Sequence, residues 1–145
     1  MKIEIKDKIG NIIFSYTCYD NTIQKTLEYC AVNGICLNGA YLPNIDFSGL
    51  SLDGLEIKNS DLSHCEFMQS SLMGVDFTDA NLSHCDFTAT DLRCADFTRA
   101  NISHCVFKDS LKHGAIFSKT QLSFFKEVKS QSFLCADGEI YTFNM

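Results

Sequence analysis

The chain has no tryptophan and a single proline among its 145 residues. So little proline excludes a proline-rich spacer or a collagen-like rod. No apolar run approaches the roughly 18 residues that a bilayer-crossing helix needs. Residues 1–20 have no basic stretch leading into a long apolar one, so no signal peptide is expected. Positive charge is also scarce, with 12 Lys and Arg against 18 Asp and Glu and a net charge of −6. That balance argues against direct contact with nucleic acid, which requires cations to displace counterions. No glycine-rich phosphate loop, HExxH or GxSxG motif occurs, so neither an enzyme nor a cofactor is expected. Eight cysteines without an export signal point to free thiols in a reducing, cytoplasmic setting. Hydrophobic residues at 46% and charged residues at 21% are ordinary for one folded domain of this length.

What the chain does have is a repeat. From Leu37 to Leu122 every fifth residue is Leu, Phe or Ile at seventeen of eighteen places, and Lys112 is the exception. Two residues before each lies a second phase, small from Ser60 onward and including Cys65, Ala80, Cys85, Ala95, Ala100 and Cys105. Between the two phases, every fifth position from 46 to 101 is Asp, Glu, Asn or Ser. An α-helix would rotate successive apolar residues by about 140° and smear them over every face. A strand would send them alternately to opposite faces. Only a backbone that turns a corner every fifth residue keeps both phases inside.

The units Ala80-Asn81-Leu82-Ser83-His84, Cys85-Asp86-Phe87-Thr88-Ala89 and Ala95-Asp96-Phe97-Thr98-Arg99 carry the pattern small, Asp/Asn, Leu/Phe and two variable residues. In this the chain resembles the pentapeptide-repeat family, over residues 35–122. The resemblance implies an all-β solenoid, a right-handed quadrilateral β-helix with four pentapeptides per coil. The sequence supports four, because Ser63-His64-Cys65, Ser83-His84-Cys85 and Ser103-His104-Cys105 recur at intervals of twenty. This second period sorts the interior into columns: Leu37, Ile57, Phe77, Phe97 and Phe117 opposite Phe47, Phe67, Phe87 and Phe107. Leu42, Leu62, Leu82, Ile102 and Leu122 then face Leu52, Leu72 and Leu92. The interior is expected to be filled, without pocket or channel.

Solenoids need covered ends. Residues 1–34 are expected to form an N-terminal cap: a β-hairpin turning near Gly10-Asn11, then a short helix N-capped by Asp20 or Asn21 and stopped at Asn33-Gly34. Residues 123–145 are expected to form a C-terminal cap hairpin, with a two-residue turn at Asp137-Gly138. Its apolar residues Phe133, Leu134, Ile140, Tyr141 and Phe143 either pack on the solenoid or form an oligomer or partner surface. Monomer and homodimer both remain open. A charge directed into the core is costly, so Lys112 predicts an irregular coil at 109–114.

The candidate site is acidic. Asp46 to Asp96 holds ten acids against Lys58 and Arg93, a net of −8. By sheet spacing this is one excess charge per about 1.5 Å of axis, close to the roughly 1.7 Å of duplex DNA. Asp46, Glu56, Asp61, Glu66, Asp76, Asp86, Asp91 and Asp96 are therefore candidates for docking on a protein partner that itself binds DNA. The resemblance adds that some family members mimic DNA and bind type II topoisomerases such as gyrase. This chain differs from those in its shorter solenoid and in lacking evident inserted loops. Two readings of the acids stand together: local side-chain bonds to the turning backbone, and recognition. An alternative function is a phage- or pathogen-type inhibitor or scaffold that binds a host protein through the C-terminal hairpin. A further alternative is metal binding by His64, His84 and His104, an exposed column at about 4.8 Å spacing. In each Ser-His-Cys triplet the His points out and the Cys in, which excludes a catalytic dyad.

Overall fold

The computed structural model describes residues 1–118, 121, 131–135 and 140–143. Strands β1 (Lys2–Lys6) and β2 (Ile12–Thr17) form an antiparallel hairpin in which Ile5 pairs with Phe14. Its turn is held by the Asp7 carboxylate, which accepts from the backbone N–H groups of Ile9 and Asn11. Helix α1 (Ile23–Val32) follows, burying Leu27 and Cys30. Its N-cap is Thr22, whose hydroxyl accepts from the Lys25 N–H at 3.2 Å, rather than Asp20 or Asn21. Asp20 instead takes a left-handed turn at φ 57°. Asn21 is buried, donating to the Tyr16 carbonyl and accepting from the Thr26 hydroxyl, so its side chain ties helix to hairpin and is not free to cap. Asn33 ends the helix, as its position suggests.

The repeat then winds as a square coil. Parallel bridges link each outward residue to the one twenty further on, from Tyr41–Asp61 to Asp96–Ile116. A side contributes one bridging residue and one inward residue before the next corner, so most sides are too short to form named strands. The corner has a fixed stereochemistry: the second residue after each inward Leu, Phe or Ile is left-handed. All sixteen such positions from Gly39 to Gly114 have φ between 55° and 79°. Five are glycine, for which this conformation is free; Ala89, Cys94 and Arg99 adopt it against their preference.

Inside, the columns stand as the twenty-residue period requires. Phe47, Phe67, Phe87 and Phe107 stack with ring centroids 4.7–5.0 Å apart. Phe77, Phe97 and Phe117 stack at 4.7–5.2 Å. Across the axis the two ladders meet edge to face, as in the 5.9 Å contact of Phe87 with Phe97. Among the described residues the filling has a gap. Where the smaller Ile57 lies below Phe77, a void of about 10 Å³ remains among Phe47, Leu52, Ile57, Leu62 and Phe67.

Lys112 does not disturb the coil. Leu92 and Cys94 still donate to the Leu111 and His113 carbonyls, and Leu111 bridges Asp91 in register. The lysine occupies the inward place above Leu92, almost fully buried, and its ammonium reaches the Ser110 carbonyl at 3.0 Å and hydroxyl at 2.9 Å. A long stem inside the column with hydrogen bonds at its tip lets the charge follow the fold, with burial holding its pKa below the usual lysine value.

At the far end the Gln121 amide donates to the carbonyls of Phe97 and Ala100; the first already accepts from the Ala100 N–H, and the second is the kind of carbonyl that takes a backbone N–H from the next coil elsewhere in the repeat. Strand β3 (Ile116–Phe117) pairs in parallel with β4 (Gln131–Cys135), which pairs antiparallel with β5 (Ile140–Phe143). The hairpin is thereby joined to the last coil through Ile116–Leu134 and Phe117–Cys135. The turn at Asp137-Gly138, the inward place of Leu122 and the side chains of Phe133, Leu134, Ile140, Tyr141 and Phe143 lie outside what the structure describes. Among the described residues no helix is long and apolar enough to cross a membrane.

Candidate functional site

Because outward residues stack at intervals of twenty, the acids fall into ladders. One side carries Tyr41, Asp61, Asn81 and Asn101; the next carries Asp46, Glu66, Asp86 and Val106. The third carries Ser51, Ser71, Asp91 and Leu111, and the fourth Glu56, Asp76, Asp96 and Ile116. The eight candidate acids are therefore divided among four sides. Only the second and fourth bring three together.

Each Asp or Asn in these ladders makes the same local bond. The Oδ1 of Asp46, Asp61, Asp76, Asp86, Asp91 and Asp96 accepts the N–H two residues on, at 2.8–3.2 Å. Asn81 and Asn101 do so at 3.2 and 3.1 Å. The bond steadies the chain as it enters the corner, and explains the residue type without any partner. It also has an electrostatic effect: backbone and side-chain bonds from Ser48 hold the Asp46 carboxyl below its usual value. At Asp76 burial pushes the other way, but the Thr78 bonds and Lys58 outweigh it.

Neutralisation separates the sides. Asp61 faces Lys8 of the hairpin at 3.7 Å, and Asp91 grips Arg93 at 2.6 Å. On the fourth side Asp76 pairs with Lys58 at 3.2 Å, and at the adjoining corner Asp79 pairs with Arg99 at 2.7 Å. Among the described residues, Asp46, Glu66 and Asp86 of the second side have no Lys or Arg within ion-pair distance. Among the described residues it is the three-acid ladder in which every acid lacks such a partner, whereas on the fourth side Glu56 and Asp96 lack one and Asp76 has Lys58.

The cysteines and histidines divide as expected. Cys65, Cys85 and Cys105 turn inward, their thiols donating to the carbonyls of Leu42, Leu62 and Leu82 at 2.9–3.1 Å. Burial pushes the Cys65 thiol up to about 12. Cys85 is raised as well, by the neighbouring Cys105 thiol and by burial. His64, His84 and His104 are exposed and stacked ring on ring. Among the described residues, no group of three or more His, Cys, Asp or Glu is arranged to hold a metal ion.

A family profile for the pentapeptide repeat region matches residues 40–117. The chain belongs to the pentapeptide-repeat family. Of solved structures, a pentapeptide repeat protein of Nostoc PCC 7120 is 24% identical, with a TM-score of 0.53 over 66% of this chain and 79% of that one. A pentapeptide repeat protein of the Arabidopsis thaliana thylakoid lumen is 26% identical, with a TM-score of 0.48 over 68% of this chain and 82% of that one. The plasmid-mediated fluoroquinolone resistance protein QnrB1 is 22% identical, with a TM-score of 0.23 over 56% of this chain and 64% of that one. No curated protein matches the chain. The square coil of this pentapeptide-repeat protein is thus the family's right-handed quadrilateral β-helix.

Proposed function

We propose that this pentapeptide-repeat protein binds, without catalysis, a basic protein surface of the kind that holds DNA, such as that of a type II topoisomerase. The observation that supports it is the uncompensated ladder of Asp46, Glu66 and Asp86, set on a rigid rod within a segment of net charge −8. Rigid placement means the carboxylates lose little entropy when they meet cations, and their field steers association. In this reading residues 1–34 and 123–145 close the two ends of the rod, and the hairpin of Phe133, Leu134, Ile140, Tyr141 and Phe143 serves the fold through its pairing with the last coil. Seven free thiols among the described cysteines suit a reducing compartment such as the cytoplasm.

The test replaces the ladder with its amides. Asn81 and Asn101 make the same backbone bond as their aspartate counterparts, so Asp46→Asn and Asp86→Asn remove charge while keeping the corner. With Glu66→Gln added, affinity for a purified type II topoisomerase should fall about tenfold or more, and its dependence on salt should flatten. Undiminished affinity in the triple variant, or no binding by the unaltered protein, would overturn the proposal.

A further inference from the structure

The histidine column has a geometry that the binding role does not use. His64, His84 and His104 occupy equivalent left-handed corners with φ of 59°, 62° and 59°. Their rings stack with centroids 4.7 and 4.6 Å apart and planes within 3° and 11°. The coil enforces this spacing, since the His64 and His84 N–H groups donate to the Ser83 and Ser103 carbonyls of the neighbouring coil at 2.9 Å. Neutral imidazoles gain from such contact, whereas charged ones repel at this distance. Among the described residues, the charged groups on the two sides meeting at this corner are Asp61 with Lys8, and Asp46, Glu66, Asp86, Lys108 and Asp109. At His84, the loss of water within the stack and the charges of His104 and His64 disfavour protonation, and none of those acids offsets them.

We propose that the column is an acid-sensitive seam: protonation of neighbouring imidazoles, held ring on ring by the coil, loosens coils 61–104 as pH falls from neutrality toward about 5. The sign follows from linkage. A histidine that resists protonation in the folded state binds fewer protons than in the unfolded chain, so stability falls as pH drops through the unfolded value of about 6.5 and levels off below the folded one. Urea unfolding at about pH 7.5 and about pH 5.5 reads this directly, above the range where most carboxylates titrate. The unaltered protein should lose roughly tenfold more of its folding equilibrium constant between those pH values than a His64→Asn/His84→Asn/His104→Asn variant. Asparagine suits the corner, as Asn44 and Asn59 already occupy equivalent ones at φ of 59° and 55°. Should that variant fail to fold, NMR titration of the His84 ring in single His64→Asn and His104→Asn variants reads the same coupling, and its midpoint should rise in each. Equal pH dependence in the triple variant, or a His84 midpoint unmoved by either neighbour, overturns the proposal.

Discussion

Sixteen corners set the same problem at the scale of one residue, since each places its residue at positive φ. Glycine meets it without strain, and five of the chain's glycines, at 39, 49, 54, 74 and 114, fall in this one phase. That coincidence was visible in the sequence and would have located the left-handed position beside the two inward ones. It is masked because His, Gln, Ala, Cys and Arg hold other corners, where the coil's bonds override local preference. Ala89, at φ 56°, has neither glycine's freedom nor a polar side chain to bond locally. Ala89→Gly should therefore raise stability by about 0.5–1 kcal/mol. Gly74→Ala should lower it by a similar amount although no atom crowds its Cβ position, because the cost lies in φ. Paired urea melts check both signs.

At the scale of the element, the ladder is the unit of stability. Phe87 is fully buried, stacked on Phe67 and Phe107 and edge-on to Phe77 and Phe97. Phe87→Ala should cost about 3–5 kcal/mol in denaturant unfolding, because its neighbours are pinned to their own coils and cannot collapse into the gap. This much was legible, since a period of five with a second period of twenty dictates which side chains stack. The end of the Leu52–Leu72–Leu92 column was not. Lys112 looked like a break because a buried ammonium is costly, yet its reach to Ser110 keeps the coil in register. The helix N-cap was misplaced for a related reason: Asn21 has capping chemistry but spends it on Tyr16 and Thr26, leaving Thr22 at the cap.

Over the whole molecule, the acidic surface was legible as a count and as ladders, but not in which ladder is neutralised. Periodicity assigns Asp46, Glu66 and Asp86 to one side, and it also pairs Asp79 with Arg99, twenty residues on. It cannot foresee that Lys8, on the N-terminal hairpin, lies against Asp61, because that contact depends on how the hairpin docks. That each ladder Asp bonds the backbone of its own corner is the first of the two readings of these acids, and the structure has it at all six. Charge and fold are thus joined in the same carboxylates, and Asn is the replacement that separates them.

Excision measures the twenty-residue coil most directly. Removing residues 67–86 takes out one full turn, so that Phe87 follows Glu66 and every column closes like on like. Removing only residues 67–81 sets Leu82 on the phenylalanine column and Phe87 on the leucine column. Followed by circular dichroism during urea unfolding, the larger deletion should keep a single cooperative transition at a higher midpoint than the smaller one. A smaller deletion that proved equally or more stable would contradict a square coil of four five-residue sides.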